Sequence, residues 1–329
     1  MIGRIGVIGG GAWGTALAQV AAAGGEETLI WAREPEVVVS INAAHENRLF
    51  LRGIALSPAI RATASLDDLR ECDALLVVTP AQHMRGVLAT LPRTAAPLIL
   101  CAKGIEEATT KLMHDVAREE QPDAPIAVLS GPTFAHEVAA GLPAAVTLAV
   151  EDQAIGEQLR ARLARPFFRP YLSTDVVGAE IGGAVKNVLA IACGVVDGLG
   201  LGQNARAALI ARGYAEMLRF GEALGAERDT LAGLCGLGDL VLTCSSTSSR
   251  NFSLGKALGE GRSADELMAD RRTVAEGAHT APVLAELASR RGIAMPITTA
   301  VHRLLGGAAA HEVVSELLSR PLTAEGSSA

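Results

Sequence analysis

Short, almost uninterrupted apolar runs punctuate the first half of the chain. They fall at Ile5–Ile8, Thr28–Trp31, Ala74–Val78, Leu98–Cys101 and Ile126–Leu129. Stretches with helical spacing lie between several of them, including Trp13–Ala23 and Thr109–Glu119. Strands that alternate with helices predict βαβ units around a parallel sheet, and continuous apolar character marks strands covered on both faces. Ala144–Val150 and Tyr171–Leu172 read as added edge strands. After about Ser173 the strand signal stops. Val176–Val196 and Asn204–Leu224 read as long helices, followed by shorter ones near Ser263–Met268, Gly277–Arg291, Pro296–Leu305 and His311–Leu318. The expected fold class is therefore α/β: a doubly wound sheet over residues 1–173, then an all-helical domain over 174–329. The last residues, Thr323–Ala329, are small and polar and read as a frayed end.

Composition sharpens this picture. Of 329 residues 49% are hydrophobic but only 3% aromatic, so Ala, Val, Leu and Ile must fill the core. There are 35 glycines, above the ~7% share usual in proteins, and nearly half lie between Gly178 and Gly261. Glycine is a poor helix former, so its density in a helical region asks for another reason, such as close helix packing or close backbone approach to a ligand. The net charge of −7 argues against a nucleic-acid or anionic-membrane partner. Five cysteines without a C-x-x-C pair give neither a disulfide framework nor a zinc site, and they suit a reducing cytoplasm. No signal peptide precedes the first strand, and no membrane span is expected. The seven histidines show no metal-ligand spacing, so no metal is expected. Neither a nucleophile elbow nor a P-loop occurs.

Gly9-Gly10-Gly11-Ala12-Trp13-Gly14 fits G-x-G-x-x-G between a strand and a helix, the context in which that spacing binds a dinucleotide. Gly9 would make the turn, Gly11 admit the pyrophosphate and Gly14 let helix and strand pack. Arg33 follows the second strand, where an acidic residue would select NAD. Its guanidinium suits a 2′-phosphate, while Glu34 beside it repels one, so the expectation is NAD(P)H with a lean towards NADP. An exposed arginine at a helix start is the alternative.

Other candidates lie after later strands and on the helices. Lys103 follows Leu98–Cys101, and Gly131 with Thr133 follows Ile126–Leu129, beyond the carboxyl ends of strands where such sheets bind ligands, though each segment reads equally as an ordinary loop. Lys186 is the one charged residue between Ile181 and Val196, on a helix apolar all round. Burial lowers a lysine's pKa towards the range of a general acid/base, whereas a snorkelling lysine would reach water. Ser249-Arg250-Asn251 precedes a helix start and reads either as a phosphate cradle or as a solvated loop. Asp239, in Gly236-Leu237-Gly238-Asp239, could orient Lys186 or accept from a substrate hydroxyl.

In this order the segments GGGAWGTALA from Gly9, CAKGIE from Cys101, SGPTFAHEV from Ser130, GAEIGGAVKNVLAIACGVVDGLGLG from Gly178, GLCGLGDLVLTC from Gly233 and SRN from Ser249 resemble the bacterial NAD(P)-dependent glycerol-3-phosphate dehydrogenases. The resemblance covers nearly the whole chain. It implies a Rossmann domain followed by a helical domain, and reversible reduction of dihydroxyacetone phosphate to sn-glycerol 3-phosphate for phospholipid synthesis. It implies Lys186 as proton donor and acceptor. It implies substrate contacts at Lys103, Gly131, Thr133, Lys186, Asp239, Ser249, Arg250 and Asn251. Cofactor contacts are implied at Trp13, Arg33, Lys103, Ala135, Arg250, Val274 and Glu276, beside Gly9, Gly11 and Gly14. Ala12 stands where the family often has Ser, and Ala275 and Ala278 where it often has Val. A homodimer is one option for the assembly.

Overall fold

A computed structural model describes residues 2–269 and 275–321. The chain divides into two compact units: Met1–Ala102 with Leu112–Ala179, and Lys103–Lys111 with Glu180–Ala329.

The first unit is built on an eight-stranded sheet in the order β3-β2-β1-β4-β5-β6-β7-β8. The strands are β1 (Ile5–Ile8), β2 (Thr28–Trp31), β3 (Ile60–Thr63), β4 (Ala74–Val77), β5 (Leu98–Leu100), β6 (Ile126–Ser130), β7 (Ala144–Val150) and β8 (Phe168–Ser173). Every pairing is parallel except β6 with β7. Helices α1 (Ala12–Ala22), α2 (Pro35–Ala44), α3 (Ala81–Thr90), α4 (Met113–Glu120), α5 (Ala135–Ala139) and α6 (Gln153–Leu163) connect them. The continuous runs of β1, β4 and β5 are wholly buried, as strands covered on both faces must be. The strand order reverses between β1 and β4, and the glycine-rich turn leaves β1 at that switch point, where such sheets bind ligands.

One strand was not anticipated, and two expectations need correction. The strand β3 escaped the apolar-run criterion because Ile-Arg-Ala-Thr alternates: Ile60 and Ala62 are buried and Arg61 is exposed, the pattern of an edge. The strand β7 is not an edge but an interior strand between β6 and β8. The edge is β8, whose Pro170 and exposed Arg169 suit a strand with one free side. The helix expected from Thr109 begins only at Met113, since Thr110 has φ +58° and breaks the helical path.

In the second unit the described helices are α7 (Val176–Gly198), whose first turn precedes Glu180, α8 (Gly202–Ala223), α9 (Arg228–Ala232), α10 (Asp239–Cys244), α11 (Arg250–Gly259), α12 (Ala264–Met268), α13 (Glu276–Arg290), α14 (Pro296–Leu305) and α15 (Ala310–Leu318). A π-helical turn, Leu234–Gly238, runs into α10. Helix α7 is long and apolar enough to cross a membrane, yet 94% of its most apolar window is buried inside the protein, which makes it a core helix.

The glycines explain how α7 is buried so completely. Gly194 and Gly198 of α7 face Gly255 and Gly259 of α11, each pair four residues apart and so on one helix face. A Cβ on Gly194 would overlap the Phe252 carbonyl oxygen, and one on Gly255 that of Ile191. A Cβ on Gly259 would lie 2.6 Å from the Val195 carbonyl oxygen. The two backbones touch, and no residue with a side chain fits at the crossing. Gly277 at the start of α13 does the same against the Asn187 carbonyl, at 2.5 Å. Packed this way, α7 cannot rotate, and the direction of Lys186 is fixed.

Candidate active site

Lys186 sits midway along α7 and is 6% exposed. Its Nζ donates to Oδ1 of Asp239 at 2.7 Å and to Oγ1 of Thr243 at 2.9 Å. Asp239 and Thr243 are one turn apart on α10, and the Thr243 hydroxyl lies 3.2 Å from the same Asp239 oxygen. The other carboxylate oxygen, Oδ2, accepts from Lys103 Nζ at 2.8 Å. Asp239 is fully buried. Two lysines thus share one carboxylate, and with all three groups charged the cluster carries a net +1.

That excess charge separates the two lysines. Burial pushes Lys186 down, the Lys103 ammonium pushes it further, and Asp239 only partly restores it, leaving it at about 8. For Lys103, burial also opposes the charge, but the attraction of Asp239, with Glu276 adding to it, raises its pKa above the usual lysine value. The two cations hold Asp239 below the ordinary carboxylate range despite its burial. The cluster is an anchored cation, Lys103, beside a titratable one, Lys186. A proton poised near neutrality and held in a fixed direction is what general acid/base chemistry requires.

The Ser-Arg-Asn segment opens α11 in the same unit. Ser249 is the N-cap, its Oγ accepting from the Phe252 N–H at 3.2 Å. Asn251 is buried and committed inward: its Nδ2 donates to Asn187 Oδ1 at 2.9 Å, and its Oδ1 accepts from the Gly277 N–H at 2.9 Å. Arg250 is exposed at the helix start. So the three neighbours do different work: one caps, one ties α7 to α13, and one presents its charge to solvent. Glu276 is the first residue of α13. Val274 lies outside the described residues.

The remaining candidates belong to the first unit. Gly9 has φ +123°, a region open to glycine, and a Cβ there would lie 2.9 Å from the Val78 carbonyl oxygen. A Cβ on Gly14 would overlap the Gly9 carbonyl oxygen, so helix and turn are in contact. A Cβ on Gly11 would meet nothing within 4 Å. Helix α1 has no side-chain cap on its N-terminus and no acidic residue in its first turn, which leaves its N–H groups and positive end for an anion. Around the strand ends, Trp13 Nε1, Thr79 Oγ1 and Ser130 Oγ are buried without a protein partner. An open glycine, an uncapped helix start and three orphaned polar atoms fit a dinucleotide. Gly131 is crowded against β7, where a Cβ would lie 2.9 Å from Val146 Cα. Thr133 Oγ1 lies 3.2 Å from the Gly131 carbonyl oxygen, and Ala135 begins α5. The Arg33 side chain is 77% exposed and paired with Glu34 at 3.0 Å.

Residues 4–156 match the N-terminal part, and residues 175–315 the C-terminal part, of NAD-dependent glycerol-3-phosphate dehydrogenase. The chain belongs to the NAD-dependent glycerol-3-phosphate dehydrogenase family. Curated members named glycerol-3-phosphate dehydrogenase [NAD(P)+] include one from Erythrobacter litoralis, 69% identical over 99% of this chain and 98% of that protein. Another, from Novosphingobium aromaticivorans, is 66% identical over 98% of both. The crystal structure of glycerol-3-phosphate dehydrogenase from Coxiella burnetii superposes with a TM-score of 0.92 at 38% identity, covering 97% of this chain and 99% of that one. The family, an oxidoreductase family with a Rossmann-like first domain, accounts for both units.

The residues not anticipated as candidates have different degrees of visibility. Thr243 is four residues from Asp239, so helical spacing alone puts it on the same face. Asn187 is adjacent to Lys186 and was legible only as its neighbour.

Proposed function

We propose that the protein reduces dihydroxyacetone phosphate to sn-glycerol 3-phosphate with NADPH or NADH, reversibly, and so supplies the backbone of glycerophospholipids. The observation that carries this reading is the Lys103–Asp239–Lys186 cluster in a member of this dehydrogenase family. A bound NAD(P)H supplies the hydride that reaches the carbonyl carbon of the substrate. Lys186 then delivers its proton to the carbonyl oxygen as negative charge grows there. Asp239 and Thr243 hold the Lys186 ammonium in place. Lys103 keeps its positive charge and stabilises the same oxygen.

Arg250 takes the substrate phosphate, aided by the N–H groups and positive end of α11, whose start Ser249 and Asn251 fix. Gly131 and Thr133 complete the substrate contacts. Gly9, Gly11, Gly14 and Trp13 would hold the pyrophosphate end of the cofactor and Arg33 the adenosine end, with Lys103, Ala135, Arg250, Val274 and Glu276 as the further contacts. The exposed Arg33 supports a lean towards NADPH. Residues 1–173 form the cofactor domain and 174–329 the catalytic domain in this reading. Five free cysteines are compatible with a cytoplasmic location. Assembly as a homodimer is checked by the mass in solution.

The test is spectrophotometric. Adding dihydroxyacetone phosphate to protein with NADPH, and separately NADH, is expected to consume the reduced cofactor and yield sn-glycerol 3-phosphate. No consumption with either cofactor sinks the reading.

A further inference from the structure

The first unit contains a fully buried amide that none of the preceding chemistry uses. Asn47 lies on the segment that follows α2 and is 0% exposed. Its Nδ2 donates to the Gly10 carbonyl oxygen at 2.8 Å and to Thr15 Oγ1 at 2.8 Å. Its Oδ1 accepts from the Phe50 N–H at 3.0 Å. These partners fix the amide in one orientation, since a carbonyl only accepts and an N–H only donates. The Thr15 hydroxyl, which accepts from Asn47, donates onward to the Gly11 carbonyl oxygen at 2.9 Å. One side chain from outside the glycine turn therefore holds the carbonyls of Gly10 and, through Thr15, of Gly11.

The consequence follows from peptide geometry. The Gly10–Gly11 peptide is trans and planar, so its C=O and N–H point in opposite directions. With the carbonyl pulled inward by a buried amide, the Gly11 N–H must point outward. The Cβ direction at Gly11 is also open, with nothing within 4 Å of where a Cβ would be. The peptide joins two glycines, and glycine imposes little steric preference on its own backbone. Left alone, this peptide plane could rotate and offer a carbonyl oxygen, with its partial negative charge, to an anion. The geometry points to Asn47 as the positioning residue of the pyrophosphate site, acting through the Gly10–Gly11 peptide and the Thr15 hydroxyl. It does not touch the cofactor. It sets which end of a peptide dipole the cofactor meets. This rests on the cofactor reading above.

Three variants test the tether by direct binding of NADPH and ADP, both of which carry a pyrophosphate. Asn47→Asp keeps the shape but turns a carboxylate towards the Gly10 carbonyl. Thr15→Val keeps the shape and removes the hydroxyl, while Thr15→Ser keeps the hydroxyl. Asn47→Asp and Thr15→Val are expected to raise the Kd for both ligands at least fivefold. The KM for dihydroxyacetone phosphate at saturating NADPH should stay within twofold, and Thr15→Ser should bind like the parent. A smaller rise in Kd in a variant that melts like the parent overturns the tether. So does a substrate KM that rises along with the Kd, because that marks a general structural role. If Asn47→Asp does not fold, Thr15→Val against Thr15→Ser decides alone. A parent protein that binds neither NADPH nor ADP overturns the cofactor reading itself, a distinct result.

Discussion

The glycine turn after β1 and the crossing of α7 with α11 use the same residue for opposite ends. At Gly11 the missing side chain leaves open space, with nothing within 4 Å of where a Cβ would be. At Gly194 and Gly255 the missing side chain is replaced at once by the other helix's backbone. The first arrangement reserves room for a ligand. The second removes room, and with it the freedom of the helix that carries Lys186. Electrostatics divides along the same line. Arg33 is a mostly exposed charge in a loose pair with Glu34, while Lys186 is a buried charge in a fixed one. Burial lowers the Lys186 pKa, whereas at Lys103 the attraction of Asp239 outweighs the same burial.

The largest effect should come from removing the buried charge. Lys186→Ala is expected to lower kcat by about a thousandfold or more, within the range general acid catalysis supplies plus the loss of a neighbouring cation. NADPH affinity should stay within a few fold. Steady-state rates and a binding titration measure both, and a kcat within tenfold of the parent would remove Lys186 from the chemistry. Lys103 does not replace it, because Asp239 holds its proton tightly.

How much of this was legible in the chain depended on whether a residue's partner was local. The glycine turn could be placed because the strand before it and the helix after it are written beside it. Lys186 stood out because no other charge falls between Ile181 and Val196. Its pairing with Asp239 was one option only, because it spans 53 residues and no spacing announces it. Asn47 went unread for the same reason: it sits in a polar stretch without periodicity, and its partners Gly10 and Thr15 are remote. The crossing glycines were visible as a density in a helical region, and close packing was the right physical reason. Which helices cross was not visible, since Gly194-x-x-x-Gly198 does not name Gly255-x-x-x-Gly259 as its partner. The strand β3 was missed because an edge strand buries only one side and carries half the signal.

A pair of alanine substitutions puts the two uses of glycine directly against each other. Gly255→Ala places a methyl on the Ile191 carbonyl, and the helices must separate. Its expected cost is about 3 kcal/mol, the upper part of the range for overpacking, read as a lowered melting temperature or denaturant midpoint. Gly11→Ala should leave stability within about 1 kcal/mol, because Gly11 has φ −69° and space around it. Its cost should appear as a tenfold or greater rise in the NADPH Kd. If Gly11→Ala unfolds the protein or Gly255→Ala does not weaken it, the contrast is wrong.

The pH dependence of the reaction reads the buried cluster without mutation. Reduction needs Lys186 protonated. As pH rises through about 8 the proton is lost and the reductive kcat should fall, by about tenfold per unit beyond it. Oxidation of glycerol 3-phosphate needs the neutral amine and should rise through the same pH to a plateau. The sign for stability is opposite to that of an ordinary paired lysine. A lysine whose pKa is lowered on folding costs stability while it is protonated, and the cost fades as pH climbs above about 8. Rates that move in the same sense in both directions would show that some other group is titrating.

The smallest effect belongs to the exposed pair. Glu34 accepts two hydrogen bonds from Arg33, at 3.2 and 3.0 Å, and so occupies the guanidinium that a 2′-phosphate would need. Binding NADPH must break or share that pair, while NADH makes no such demand. An exposed ion pair is worth at most about 1 kcal/mol, which bounds the effect near fivefold. Glu34→Gln removes the competing charge and the repulsion of the phosphate together. The ratio of NADPH to NADH affinity is therefore expected to rise, by about two- to fivefold, and the gain should shrink at high salt. A change well above that bound would mean that Glu34 is not the solvent-screened neighbour its surroundings make it. No change at all would mean that Arg33 does not read the 2′-phosphate.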